Sequence, residues 1–217
     1  MTFTDDTLLD GRVGLRQPTH GYRAAIDPVF LAAAVSAGAG QRVLDAGCGA
    51  GAALLCLCAR VPGCVAVGLE LQPEMAELAR GNLRLNGFET RASIACGDVA
   101  NPPPGLGAGG FDHVMINPPH LDAAAAQAPP DRAKALAHVE GEADLAAWVA
   151  FAARMLRHKG RLTIVHRADR LDSVLAAATK RSGRTANPNR SGRIDNRRQS
   201  WVAWIKAAKR STLTMWS

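Results

Sequence analysis

The chain has 217 residues, 47% hydrophobic and 21% charged, with a formal net charge of +7. Its length suits one well-cored domain and is short for two, and its composition excludes wholesale disorder. No apolar run approaches the roughly 20 residues of a membrane span, and the acid-bearing start MTFTDDTLLDG lacks the basic n-region of a signal peptide, so a cytoplasmic protein with no membrane partner is expected.

In chain order, Asp27 to Val35 predicts a helix, with Asp27 near its N-cap and Pro28 in its first turn. Val43 to Ala46 predicts a strand that enters a glycine-rich turn, and the Ala/Leu/Cys-rich stretch from Ala52 to Arg60 predicts a helix. Cys64 to Leu69 is a second strand. Pro73 to Asn86 is a helix opened by proline and stopped at Asn86-Gly87. Ala92 to Cys96 is a third strand, residues 101–110 a Pro/Gly-rich loop, and Phe111 to Ile116 a fourth strand. Asn117-Pro118-Pro119-His120 breaks that strand, and an Ala/Pro-rich loop follows to Asp131. Ala143 to Arg157 predicts a helix, Arg161 to His166 a fifth strand, and Ala168 to Lys180 a further helix. Residues 181–199 show no apolar periodicity. Ser200 to Ile205 alternates weakly around two tryptophans and reads as a last strand. Strands alternating with helices imply an α/β fold, a parallel sheet covered on both faces.

The charge is unevenly placed. Between Lys180 and Arg210 stand ten Lys or Arg and one acid, Asp195, so this stretch carries +9 and leaves the remainder near −2. A basic segment beside a near-neutral body fits an anionic partner, or a solvated tail. The five cysteines, Cys48, Cys56, Cys58, Cys64 and Cys96, lie in apolar or glycine-rich context and read as buried reduced thiols. Cys56-x-Cys58 has the wrong spacing for zinc, and no metal is expected.

Two motifs carry chemistry. In Val43-Leu44-Asp45-Ala46-Gly47-Cys48-Gly49-Ala50-Gly51, glycines permit a tight turn and close approach of a ligand. The glycines alone also fit a dinucleotide fingerprint, but a pyrophosphate over the helix N-terminus would be repelled by Asp45. S-adenosyl-L-methionine instead brings an ammonium and a sulfonium, which a nearby carboxylate favours. Glu70 ends the second strand, about where an acid takes ribose hydroxyls, and Asp98 follows the third strand, where it could accept from an adenine amino group. Each has a plainer role open to it, Glu70 as a charge at the next helix N-terminus and Asp98 as a turn residue.

The second motif is Asn117-Pro118-Pro119-His120, at the carboxyl end of the fourth strand. The two prolines stiffen the loop and remove two N–H donors. The Asn117 side-chain oxygen and the Pro118 carbonyl then form an acceptor-rich rim, which suits an NH2 group with its two donors. An imidazole at position 120 can stack on a flat substrate. No strong base is needed, because a neutral amine attacks first and loses its proton afterwards.

Together these segments resemble class I methyltransferases of the small-domain superfamily, which carry an Asn-Pro-Pro-aromatic motif. More narrowly, the chain is similar to bacterial tRNA (adenine-N6) methyltransferases that modify the anticodon loop of a valine tRNA. Gln17-Pro18, Gly21-Tyr22-Arg23, Asp27, Val43 to Gly51, Glu70, Gly97-Asp98, Asn117 to His120 and Arg161 to Leu171 carry the resemblance. It implies a Rossmann-like, seven-stranded sheet with helices on both faces and the last strand antiparallel. It implies residues 1–40 as a segment that covers the cofactor, 41–180 as the S-adenosylmethionine-binding domain, and 181–217 as a basic tail that completes the sheet. Cofactor contacts are then expected from Tyr22, Arg23, Asp27, Asp45, Gly47, Cys48, Gly49, Gly51, Glu70 and Asp98, and catalysis from Asn117, Pro118, Pro119 and His120. The expected partner is RNA, in the first place tRNA. Methylation of a protein glutamine amide, methylation of a guanine N2 in ribosomal RNA, and a non-catalytic cofactor- or RNA-binding module are the alternatives. Position 120 departs from the family pattern, being His where Tyr, Phe or Trp is usual.

Overall fold

A computed structural model describes residues 2–20, 23–118, 145–167, 171–180, 193–196 and 199–206. Tyr22, Pro119 and His120, the loop after them and most of the basic tail lie outside the described residues.

The chain opens with a hairpin that its sequence did not announce. Strands β1 (Phe3–Leu8) and β2 (Val13–Pro18) pair antiparallel, and Leu9, Asp10 and Gly11 turn between them with positive φ. β1 alternates only between exposed and half-buried positions, so FTDDTL has no apolar period to read. Helix α1 (Asp27–Ala34) follows, with Asp27 and Pro28 in its first turn and Ile26, not Asp27, at the N-cap.

The sheet core is built by β3 (Arg42–Ala46), β4 (Val65–Glu70), β5 (Ala92–Cys96), β6 (Phe111–Ile116) and β7 (Leu156–Arg167). Helices α2 (Ala52–Arg60), α3 (Pro73–Leu85), α4 (Leu145–Met155) and α5 (Leu171–Lys180) connect or follow them. Strands β8 (Arg193–Asn196) and β9 (Gln199–Lys206) complete seven strands in the order β5-β4-β3-β6-β7-β9-β8.

The expected direction of the last strand is corrected. β9 runs parallel to β7, with Leu162 opposite Trp201, and the antiparallel strand is the short edge β8 before it. Only two residues separate β8 from β9, so the pair must form a hairpin. Once β8 runs against the sheet, β9 runs with it. The unpatterned segment 181–199 hid this edge strand.

Strand alternation assigns each face. Val43 packs with α1, α2 and α3, and Asp45 shares its parity. Leu44 and Ala46 pack against α4 and α5 on the other face. Both faces are apolar along the central strands, as a parallel sheet covered on two sides requires. Four of the cysteines are buried as expected, but Cys96 is exposed, because β5 is the edge strand and its last residue faces out. No described helix is long and apolar enough to cross a membrane.

Candidate active site

The site forms where the order of strands reverses. β3 is flanked by β4 on one side and β6 on the other, all parallel, so three carboxyl ends meet. Ala46 pairs with Ile116, and the residues that follow them, Gly47 and Asn117, leave the sheet side by side. In open α/β sheets ligands bind in such a crevice.

Backbone conformation explains the glycines. Gly47, Gly49 and Gly51 have φ of 72°, 55° and 88°, a region that costs a side-chain-bearing residue energy. The turn is stitched to β4: the N–H groups of Gly47 and Cys48 both donate to the Leu69 carbonyl, at 2.8 and 3.0 Å. Gly68, on β4 below, admits the turn closely, since a Cβ there would lie 2.7 Å from the Cys48 Sγ.

Two buried carboxylates lie under this turn. Glu70 is 1% exposed; one carboxylate oxygen accepts the Gly49 N–H at 2.8 Å and the other accepts the Gln72 N–H at 2.9 Å. Burial raises its pKa while those backbone donors oppose the shift. Asp45 is 2% exposed, and its Oδ2 has no hydrogen-bond partner. Burial pushes its carboxyl up to about 7; the Leu54 N–H opposes this and the nearby Glu70 charge adds to it. A buried carboxylate oxygen without a donor is costly unless a cation or a donor arrives. The pair therefore fits a cationic ligand and disfavours an anionic one, which agrees with a cofactor that carries ammonium and sulfonium groups.

A shallow cleft, partly open to solvent, lies beside the turn and is lined by Gly47, Leu69, Leu71, Gly97, Asp98, Val99 and Trp148. Asp98 accepts the Ala100 N–H at 2.9 Å, which shapes the loop after β5. Gly97 is needed there because a Cβ would lie 2.6 Å from Pro103 Cδ.

Trp148 is the contributor that sequence reasoning missed. It comes from α4, is 2% exposed, and its indole N–H has no partner. Its surroundings in the sequence, Ala146 to Ala150, look like any apolar helix core.

Of the expected cofactor residues, Gly47 and Asp98 line the cleft, and Cys48, Gly49 and Gly51 form its turn. Asp45 and Glu70 lie beneath that turn. Arg23 is placed elsewhere, held by the hairpin: it donates to Thr4 Oγ1 and Asp6 Oδ2, each at 2.8 Å, and to the Pro18 carbonyl at 2.9 Å. Asp27 sits in the first turn of α1 and is not among the lining residues. Asn117 and Pro118 stand at the end of β6. Among the described residues no cluster of His, Cys, Asp or Glu could hold a metal.

The model of the methyltransferase domain family matches residues 43–139. A tRNA1(Val) (adenine(37)-N6)-methyltransferase of Porphyromonas gingivalis is 35% identical over 144 residues, 65% of this chain and 56% of that protein. A release factor glutamine methyltransferase of Rhodospirillum rubrum is 41% identical over 91 residues, 42% of this chain and 27% of that protein. The chain thus spans about half or less of the length of these curated relatives. Among solved structures, a predicted O-methyltransferase from Agrobacterium tumefaciens superposes with a TM-score of 0.58 at 23% identity, covering 87% of this chain and 91% of that one. At that identity the superposition speaks for the fold alone.

Proposed function

We propose that this chain is a class I S-adenosylmethionine-dependent methyltransferase, a reading supported by the domain match over residues 43–139 and by the tRNA-methylating relative, and that it methylates an exocyclic amine, the N6 of an adenine in tRNA. The observation that carries this is the juxtaposition of Asn117 and Gly47 across the β3–β6 pair. It sets an acceptor-rich rim beside the turn that would hold the methyl donor. When bound, S-adenosylmethionine supplies an electrophilic methyl group.

The chain's own residues supply position and field. Asp45, buried with a free oxygen, offsets positive charge on the cofactor. Glu70 braces Gly49, and through it the turn, and Asp98 presents a carboxylate at the cleft wall. Asn117 Oδ1 and the Pro118 carbonyl accept the two N–H groups of the substrate amine. This turns the nitrogen lone pair toward the methyl and brings the reacting atoms to attack geometry. His120 stacks on the flat base. The proton leaves after transfer, so no side chain acts as a strong base.

RNA is favoured over protein on two grounds. The tRNA-methylating relative aligns over 65% of the chain, the release-factor relative over 42%. The excess of positive charge from Lys180 to Arg210 also suits a phosphate backbone.

Incubation with bulk tRNA or with a peptide-chain release factor, each with methyl-labelled cofactor, tests the reading. N6-methyladenosine in the digested tRNA supports it. Label in N2-methylguanosine or in a release-factor glutamine names a different substrate. No label in either, with cofactor bound, would leave a binding module.

A further inference from the structure

The β1–β2 hairpin is held to α3 by two side-chain amides one helical turn apart. Asn86 Oδ1 accepts the Gly14 N–H at 2.9 Å, and its Nδ2 donates to the Gly14 carbonyl at 2.8 Å. Asn82 repeats the pattern two residues along β2: Oδ1 accepts the Arg16 N–H at 2.9 Å and Nδ2 donates to the Arg16 carbonyl at 2.8 Å. Residues 14 and 16 turn the same edge toward α3, and the two amides pair that edge as a neighbouring strand would.

Asn82 does one thing that Asn86 does not. Its Nδ2 also donates to the Ala50 carbonyl at 2.9 Å. Ala50 lies between Gly49 and Gly51 in the turn under which Asp45 and Glu70 are buried. Asn82 itself is 1% exposed, on the face of α3 otherwise formed by Met75, Ala76, Leu78, Ala79 and Leu83. A primary amide offers one acceptor oxygen and two N–H donors, and here all are used. An aspartate lacks the donors, and an aliphatic side chain lacks both.

We propose that Asn82 is a positioning residue for the cofactor: its amide holds the glycine turn and strand β2 in one register, so that affinity at the turn and order in the hairpin rise and fall together. This rests on the reading of the turn as the cofactor site. Ligand that stiffens the turn fixes the Ala50 carbonyl, and through Asn82 it protects the Arg16 amide. Gly14 is bound through Asn86, which does not touch the turn, so its amide gains less.

The test titrates S-adenosylhomocysteine calorimetrically into the wild type, Asn82→Ala and Asn86→Ala, and follows hydrogen exchange of the wild type with and without that ligand. Asn82→Ala should weaken binding by about tenfold or more, the scale of one buried hydrogen bond and the register it fixes. Asn86→Ala, which loosens the hairpin and removes the Asn86 Nδ2 bond to the Asn82 carbonyl but leaves the Asn82 amide on the turn, should stay within about twofold. In turnover, Asn82→Ala should raise the KM for the cofactor with kcat little changed. In the wild type, ligand should slow exchange at Arg16 more than at Gly14, an arm that holds even where a variant fails to fold. Equal losses in the two variants, or equal protection at the two amides, overturn the proposal and leave the cofactor reading intact. A wild type that binds no S-adenosylhomocysteine overturns both.

Discussion

The Glu70 carboxylate accepts the Gly49 N–H at 2.8 Å, which fastens the end of β4 to the turn after β3. Its other oxygen takes the Gln72 N–H at 2.9 Å, just before α3 begins. One buried side chain thus fixes two loops that meet at the cleft. Glu70→Ala strands both donors, and each such loss costs about 1–3 kcal/mol. Urea unfolding should show that loss of stability, and S-adenosylhomocysteine binding should fall with it. Glu70→Gln keeps one acceptor and sets an NH2 against the other donor, so it should fall between wild type and Ala. A fully stable Glu70→Ala protein would show that water replaces the carboxylate and that the brace is dispensable.

Asp45 should make cofactor binding depend on pH. Its folded pKa is raised from 3.8 to about 7, chiefly by burial. Between those values the ligand-free folded chain holds a proton that the unfolded chain has released, so ligand-free stability falls as pH rises through this window. A cationic ligand favours the ionised form, so binding below about 7 must expel that proton. Affinity for S-adenosylmethionine should therefore climb with pH, by at most about tenfold per unit, and level off above about 7. Asp45→Asn should bind weakly at every pH and lose the slope. A flat profile in the wild type would mean that Asp45 stays in one protonation state throughout.

The glycine turn was legible because positive φ is a demand that few residues meet, and the choice of S-adenosylmethionine over a dinucleotide because a carboxylate before the turn separates two kinds of cofactor. Alternation of strands and helices announced the parallel sheet, and the order of its strands, read from the structure, brings Gly47 and Asn117 together. Other features left no such trace. Trp148 sits in an Ala-rich helix like a core residue, and only the fold shows its N–H unpartnered beside the cleft. Arg23 looked like a pocket residue because of where it falls in the resemblance, yet its guanidinium is taken up by Asp6, Thr4 and the Pro18 carbonyl. The direction of β9 depended on a four-residue edge strand with no apolar period. Asn82 did carry a readable signal, a polar residue on the apolar stripe of a predicted helix, but its partners are 66 and 32 residues away in sequence.

Trp148 allows a test in which stability and binding move in opposite directions. Trp148→Phe keeps an aromatic ring at the cleft and removes a buried donor whose burial costs about 1–3 kcal/mol. Ligand-free stability should hold or rise, while affinity for S-adenosylhomocysteine falls several-fold as the N–H is lost to the ligand. Trp148→Ala instead opens a cavity and should cost about 3–5 kcal/mol. Thermal unfolding and titration of both variants read the two effects apart. Unchanged affinity in Trp148→Phe would make the indole a packing residue only.

Asn117 should act in turnover and not in cofactor capture. Asn117→Ala removes one acceptor for the substrate amine and leaves the turn, Glu70 and Asp45 in place. Cofactor affinity should stay near wild type, and kcat should drop roughly 10²-fold, as for a positioned polar group at a reacting centre. His120→Phe should keep most activity where His120→Ala loses it, since a stacking surface needs a ring and no proton. A Phe variant as inactive as Ala would mark His120 as an acid or base, and the pH–rate profile would then rise near its pKa.

The basic tail should govern RNA affinity with little effect on cofactor binding. From Lys180 to Arg210 the chain carries +9, while Asp45, Glu70, Asp98 and Asn117 all lie upstream. Contacts to phosphates release counterions, so affinity for tRNA should fall steeply as salt rises. Neutralising Arg190, Arg193, Arg197 and Arg198 together to glutamine removes four of those charges and spares the tryptophans of β9. If all four meet phosphate, the slope of log K against log salt should shrink by about 3 to 4. The measurement is tRNA binding at several salt concentrations for wild type and variant, with S-adenosylhomocysteine affinity as the internal reference. Equal slopes and equal tRNA affinities would show the tail to be a solvated appendage. Recognition would then have to come from the surfaces around Asn117, where only the substrate base and its immediate neighbours could be read.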